Sequence, residues 1–508
     1  MWSPLDILSL ETWILIATLL CLARFYLHRK WQFLKKLNIP HYPPSILKIG
    51  TLRYNAKPSE FFTSDLEMKK KFGMVYGQYM GWSPRIVISD PDILKQIMIK
   101  EFNNFYDRQK SLQKVNGKAL NNGLTNITGD TWRRVRHTIS PMFSTSKLRS
   151  MIGVIDKCAD EMVENLQSIA KDNDGVFDTK GVFGKYTLSA ICSAAFGVDV
   201  NSQKDEKESK AIRMAKKLFQ AKFLSNPMLY ILIIFPWMEK IAEKMDFTFF
   251  PRDALKYFEN LTNSILKISS SPDPKQTSTV LQLLAESEIS EKETKSKTKG
   301  LTHMEITGNG VLMILAGYET TSSAIIFLAF NLAWHKDVQE KLREEIREIV
   351  KSDNSLDYEK LNGLKYLTQC INESLRLYPP APRNGRYCEK KITINGITIP
   401  GKIHIDIPTY GMARDPEYWD EPEKYIPERM DDMSKIDPII FQPFGAGPRN
   451  CIGLRLALMK IRLAICKVLL NFELDVCPDT PKPPIEIIIE ATMRPKVDVL
   501  HLKAIPLK

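Results

Sequence analysis

The residues best placed to do chemistry gather around one cysteine. Phe441 to Lys460 reads FQPFGAGPRNCIGLRLALMK. Gly445, Gly447 and Pro448 make an irregular turn. Directly after Gly453 an amphipathic helix begins, with Leu454, Leu458, Ile461, Ile465, Leu469 and Phe472 recurring at three- and four-residue steps. Cys451 therefore sits at a helix N-terminus, where unpaired backbone N–H groups and the positive end of the dipole lower a thiol's pKa. The expectation is a thiolate, the form of cysteine that ligates a metal. A small buried thiol with no chemical role is the plain alternative. Cys21, Cys158, Cys192, Cys370, Cys388, Cys466 and Cys477 are scattered without a CxxC pair. Reduced thiols are expected, since a chain of this length does not need disulfide staples.

Three further patterns carry chemistry-bearing groups. Ala316-Gly317-Tyr318-Glu319-Thr320-Thr321 lies in a long apolar segment, and between Ile306 and Trp334 Glu319 is the sole charged residue. An isolated acid in such a setting is costly unless it works or is paired. Glu373 and Arg376 stand three residues apart, followed by Leu377-Tyr378-Pro379-Pro380 and, further on, Pro427-Glu428-Arg429-Met430. Trp132 and Arg136 share one helical face of Trp132-Arg133-Arg134-Val135-Arg136. Taken singly, Arg108, Arg386 and Arg449 read as solvated surface charges.

Phe444-x-x-Gly447-x-Arg449-x-Cys451-x-Gly453 resembles the haem-binding signature of the cytochromes P-450 at every defined position. The Ala316–Thr321, Glu373/Arg376/Arg429 and Trp132/Arg136 patterns fall in the family's order, and the resemblance covers essentially the whole chain. AGYETTSS, EPEKYIPER and GPRNCIG are most similar to the animal microsomal branch of broad-specificity drug and steroid oxidases, where thromboxane synthase also belongs. The resemblance implies haem b with Cys451 as the axial metal ligand, which favours O–O cleavage. It implies Trp132, Arg136, Arg108, Arg386 and Arg449 on the haem propionates, and Phe444 and Ala316 against the haem. Glu319 and Thr320 are implied as the catalytic pair that delivers protons, with Gly317 leaving room for the oxygen. Glu373, Arg376 and Arg429 are implied as a buried ion triad supporting the haem loop. The implied partners are O2, a lipophilic substrate (sterol, fatty acid or xenobiotic), membrane lipid, a separate NADPH-dependent reductase and cytochrome b5. The chain has no GxGxxG fingerprint of its own for a nucleotide. Arg133, Arg134, Lys460 and Arg462 are expected on the proximal face, either as a docking patch for an acidic flavin domain or as solvated charge. Leu124, Thr125, Leu315, Ala316, Ala381, Pro382 and Arg383 are expected to border the pocket. An isomerase of a lipid endoperoxide is the rival reading; the intact Glu319-Thr320 pair speaks for the monooxygenase. The same pair speaks against a haem carrier. The chain departs from the family in a hinge without Gly, in Ala413 ahead of Arg414-Asp415-Pro416, and in Met430.

These residues need a scaffold. The 508 residues are 44% hydrophobic and 26% charged, which is globular chemistry, and no linker divides them. A formal charge of +12 suits acidic partners, yet no nucleic-acid motif accompanies it. Val75–Ser89 and Ile392–Ile407 read as hairpins, the latter turning at Asn395-Gly396. Trp334–Val350 and most of the remainder show helical spacing. The fold class expected is mainly α with small β-sheets, a cytochrome P-450 fold with an N-terminal single-span membrane anchor. Leu5 to Leu27 is apolar apart from Asp6, Glu11 and Arg24, and Arg29, Lys30, Lys35 and Lys36 follow. About 20 such residues span a bilayer, and the trailing positive charge keeps the rest cytosolic. The expected division is 1–30 as a signal anchor in the endoplasmic reticulum, 31–48 as a basic, proline-rich hinge, and 49–508 as the catalytic domain. Asn126, Asn260 and Asn372 then stay unglycosylated. Pro227–Trp237 is too short to span; a buried helix and a monotopic membrane contact stand level.

Overall fold

The computed structural model describes residues 9–45, 50–51, 64–108, 112, 114–200, 210–219, 226–269, 279–351, 355–489 and 492–507. Leu5, Asp6 and residues 46–48 of the expected hinge lie outside them.

The helices used below are α1 (Leu10–Trp31), α2 (Gly129–Ile139), α3 (Thr145–Asp172), α4 (Thr179–Ile191), α5 (Pro227–Ile234), α6 (Met238–Lys244), α7 (His303–Trp334), α8 (Lys336–Val350), α9 (Tyr358–Gly363), α10 (Lys365–Leu377) and α11 (Leu454–Asn471). The strands are β1 (Val75–Met80), β2 (Ser83–Ile88), β3 (Val176–Asp178), β4 (Asn384–Cys388), β5 (Ile392–Ile394), β6 (Ile397–Ile399), β7 (Ile403–Ile407), β8 (Phe472–Val476), β9 (Ile487–Ile489), β10 (Met493–Pro495) and β11 (His501–Pro506). The fold is mainly helical with small sheets, as expected.

α7 is the axis of the molecule. Thr302 starts it with a reciprocal cap, accepting from the Glu305 backbone N–H while the Glu305 carboxylate accepts from the Thr302 N–H at 2.9 Å. Almost every position from Glu305 to Ala333 is buried. A helix apolar all round is either a membrane span or the core of a large domain, and here α4, α10 and α11 cover it. Of the two described helices long and apolar enough to cross a bilayer, α7 is mostly buried inside the protein while α1 buries nothing.

The main sheet has the order β1-β2-β7-β4, with β2 and β7 parallel. The first hairpin forms as expected. The second forms between β5 and β6, with Asn395 at φ 48° and Gly396 at φ 78°, the two left-handed residues that an Asn-Gly turn supplies. β7 leaves that hairpin for the main sheet. The proline segment is tied down rather than free: Leu34 is fully buried, its N–H donates to the Tyr79 hydroxyl at 3.0 Å, and the Pro40 carbonyl accepts from Gly77 at 2.8 Å. All eight cysteines are unpaired.

Candidate active site

The loop before α11 is shaped by its own backbone. The Cys451 N–H donates to the Phe444 carbonyl at 2.8 Å and the Asn450 N–H to Gly447 at 3.0 Å. Gly447 has φ +69°, and a Cβ there would sit 2.1 Å from the Met98 carbonyl oxygen; only glycine fits. Cys451 lies three residues ahead of Leu454, on the wall of a cavity of about 350 Å³. Burial pushes its thiol pKa up, against the Gly453 N–H and the charges of Arg108 and Arg136, which pull it down. The depressed pKa expected from a helix N-terminus is thus corrected. The dipole effect fades beyond the first turn, and Cys451 lies outside that turn.

Four guanidinium groups converge beside this loop. Arg108 donates to the Arg449 carbonyl at 2.9 Å, and Arg136 to the carbonyl and side chain of Asn450 at 3.1 and 2.9 Å. Arg386 is 1% exposed and donates to the Gly385 and Ala446 carbonyls at 2.8 and 3.2 Å. Arg449 donates to the carbonyls of Tyr106, Leu124 and Ile127 and lies 4.2 Å from the centre of the Trp132 ring. Among the described residues Asp107, 3.7 Å from Arg449, is the one carboxylate paired with any of the four. Burial, and then the charge of Arg108, pushes both Arg386 and Arg449 down to about 9. The Nε atoms of Arg108 and Arg386 are buried without an acceptor. Such uncompensated buried cations are costly, and an anionic ligand relieves them. A haem carries two carboxylates and an iron that a cysteine thiolate can ligate, so the thiol, the guanidiniums and the vacant donors fit the group expected from the sequence.

On the facing wall Ala316, Gly317, Thr320 and Thr321 line the same cavity. The Thr320 hydroxyl donates to the Ala316 carbonyl at 2.6 Å. The space a Gly317 side chain would take belongs to Ile191 of α4, 2.7 Å away. The cavity wall therefore joins Cys451, Arg449, Trp132, Arg136, Arg108, Phe444, Ala316 and Thr320. Arg386 stands behind it. Glu319 is not on it: its carboxylate, 3% exposed, turns to α4 and accepts from Lys180 Nζ at 2.6 Å. Lys180 also donates to Ser322 at 2.8 Å.

Beneath the loop Glu373 and Arg376 pair through two bonds of 2.8 Å, and Arg429 Nε reaches Glu373 at 2.9 Å. Arg376 also donates to the carbonyls of Ala413, Pro422 and Lys424. This buried triad fastens α10 to the segment that leads into the cysteine loop.

Two sets of expectations need revision. Of the expected pocket border, Leu124, Thr125, Ala316 and Ala381 line the cavity while Leu315, Pro382 and Arg383 do not; Arg383 is drawn into an ion pair with Asp65. Of the expected docking charges, Arg133 alone is exposed. Arg134 is buried against Glu305 at 2.6 Å, Arg462 against Asn362 at 2.8 Å, and Lys460 is 1% exposed. Sequence reasoning took Lys460 for a surface charge, yet it follows Leu456 by four residues and precedes Leu463 by three. That phase lies on the buried stripe. Lys180 and Asn309, whose side chain accepts from the Leu124 N–H at 3.0 Å, were missed; neither belongs to a pattern a single sequence makes visible.

A family model described as Cytochrome P450 matches residues 40–501. Cytochrome P450 3A11 of Mus musculus is 34% identical over 98% of this chain and 97% of its own length. Cytochrome P450 3A5 of Homo sapiens is 34% identical over 97% and 96%, and Cytochrome P450 3A27 of Oncorhynchus mykiss 37% over 99% and 96%.

Proposed function

The chain belongs to the cytochrome P450 family, and from that premise we propose that it oxidises a lipophilic substrate (a sterol, fatty acid or xenobiotic) with electrons from NADPH delivered by a separate reductase and supplemented by cytochrome b5. The protein is a haem-thiolate monooxygenase. Bound haem supplies the dioxygen activation and one-electron chemistry that side chains cannot. Cys451 would hold the iron, Arg108, Arg136, Arg386, Arg449 and Trp132 the propionates, and Phe444 and Ala316 the two faces.

The protein's part is to hold, orient and keep dry. Leu124, Ile191, Leu312, Met313, Ala316 and Ala324 give the cavity an apolar wall, which suits a lipophilic substrate. Thr320 holds a hydroxyl at that wall, with its own proton engaged by Ala316; its oxygen is left to accept. Glu319 serves as the relay behind it: released from Lys180, its carboxylate takes a proton from solvent and passes it toward the Thr320 side. The Lys180 side chain is 33% exposed, which gives that pair contact with solvent.

Residues 1–30 act as a single-pass anchor in the endoplasmic reticulum, 31–48 as the hinge and 49–508 as the cytosolic catalytic domain. α1 carries exposed apolar side chains and ends in Arg29 and Lys30, the charge order of a cytosol-facing domain. Ile231, Phe235, Trp237, Ile241 and Met245, on and around α5 and α6, are exposed as well. Trp82 bridges Phe235 to Tyr26 of α1 through edge-on ring contacts. This continuous apolar surface supports a second contact with lipid and a substrate supply from the bilayer.

The observation that carries the reading is one cavity shared by Cys451 and a surplus of guanidinium charge. The test is the difference spectrum of the dithionite-reduced protein with and without carbon monoxide, with Cys451→Ala alongside. A strongly red-shifted Soret band, lost in the variant, is expected; well-folded protein without haem would overturn the reading.

A further inference from the structure

Lys460 is among the largest fully buried side chains of the molecule. It stands on α11, nine residues past Cys451, and reaches across to α7, where Nζ donates to the Gly317 carbonyl at 2.7 Å. Among the described residues that is its one acceptor, although an ammonium carries three donors. No carboxylate of the described residues lies within ion-pair distance of it. The neighbouring carbonyl, Ala316, is engaged by the Thr320 hydroxyl. Two successive carbonyls of the turn that presents Thr320 are therefore each held by a side-chain donor, and Lys460, Gly317 and Thr320 line one cavity.

We propose that Lys460 is a positioning residue for oxygen chemistry: its ammonium, clamped on the Gly317 carbonyl, fixes the Ala316–Thr320 turn so that Thr320 keeps its hydroxyl at the cavity. The inference rests on the haem-thiolate reading above. A charged donor makes a hydrogen bond roughly twice as strong as a neutral one, so the clamp is firm in the ammonium form and slack in the amine.

The surroundings make that difference accessible near neutrality. The titratable groups facing Lys460 are the thiols of Cys192, just after α4, and Cys158 on α3. Burial pushes these up to about 12 and about 11, so both stay neutral. Tyr186 of α4 donates to the Lys460 carbonyl, not to its amine. Glu319 on α7 is turned to Lys180, Arg343 of α8 meets α11 at the Leu469 carbonyl, and Asn362 of α9 meets it at Arg462. Asp156 and Asp160 of α3 are taken by Lys467. With no counter-charge, burial pushes Lys460 down to about 7.

The experiment uses the full-length, haem-loaded protein with its reductase and measures product and hydrogen peroxide per NADPH from pH 6 to 8.5 for wild type, Lys460→Met and Lys460→Arg. The wild-type product share should fall several-fold as pH rises through the middle of that range. Lys460→Met should be low and flat, and Lys460→Arg, always charged, high and flat. Thermal melts give a readout independent of turnover. The folded state gives up this proton below the ordinary lysine range near 10, so the unfolded chain binds more protons between about 7 and 10, and wild-type stability rises with pH there. The advantage of Lys460→Met over wild type in melting temperature should therefore shrink from pH 7 to 9. Equal product shares for wild type and Lys460→Met at every pH, with the red-shifted band intact, would overturn the proposal and leave the haem-thiolate reading standing. Loss of that band in wild type would instead remove the reading itself. If Lys460→Met does not load haem, the wild-type profile decides, and a flat one overturns the clamp.

Discussion

At the residue scale, the guanidinium cluster and the Thr320 hydroxyl make separate predictions. Arg386 is buried, has no carboxylate partner and leaves Nε unmet. Arg386→Leu should therefore stabilise the haem-free protein, by at most the roughly 1–4 kcal/mol seen when a buried ion pair gives way to well-packed apolar side chains, since the Gly385 and Ala446 carbonyls lose their donor. The same change should speed haem loss if Arg386 holds a propionate as proposed; melts of haem-free protein and haem transfer to an acceptor protein read the two effects. Thr320→Ala should keep the haem spectrum and raise peroxide per NADPH several-fold; unchanged coupling would refute the role given to its hydroxyl. Cys451, Arg449 and Arg136 were legible because they stand at fixed offsets in short motifs, whereas Arg108 and Arg386 stand in none and came only with the family resemblance. Arg134, Lys460 and Arg462 were misread because residue type was allowed to outrank helical phase: each carries a charge, yet each sits on the inward stripe of its helix, where Glu305, the Gly317 carbonyl and Asn362 receive it. Glu319 was recognised as an acid that must either work or be paired, but its partner Lys180 lies 139 residues away, and no local pattern names it.

At the scale of elements, the cysteine loop depends on supports outside it. Glu373→Gln removes the charge that both Arg376 and Arg429 face, and breaking a buried pair in this way costs about 3–5 kcal/mol. The expected result is a denaturation midpoint well below wild type and a red-shifted band converted to an unshifted one; an unchanged midpoint would refute the supporting role. Gly447→Ala should have a similar outcome for a different reason, since the Cβ meets the Met98 carbonyl and the backbone is left-handed. The Asn395-Gly396 hairpin and the helix after Gly453 formed where periodicity and turn chemistry placed them. The parallel pairing of β2 with β7 did not show in the sequence, because a pairing between strands some three hundred residues apart is decided by packing and leaves no local mark. The long apolar segment that becomes α7 was recognised, while its neighbours were not: an all-apolar surface does not say which helices will cover it.

At the scale of the molecule, α1 and the α5–α6 surface form one apolar side. Protein lacking residues 1–31 should still float with phospholipid vesicles, and changing Phe235, Trp237 and Ile241 together to Ser should abolish that flotation with little change in melting temperature, as exposed positions contribute little to the core. Soluble behaviour of the truncated protein before those changes would refute the second membrane contact. The same architecture dictates an order of manufacture. Arg108 and the carbonyl it serves are 341 residues apart, and the second core cluster joins segments near Ile86–Met98 to others at Ile403–Ile439. At about 5–20 residues per second of synthesis, roughly 20–70 s pass between the emergence of the two halves of the haem cradle. During that interval the apolar faces of the first half lack the partners that later cover them. On the haem-thiolate reading the cofactor's seat stays incomplete until Cys451 and the helix after it leave the ribosome, so the yield of loaded protein should rise with haem supply at the end of translation and with shelter for the nascent chain before it.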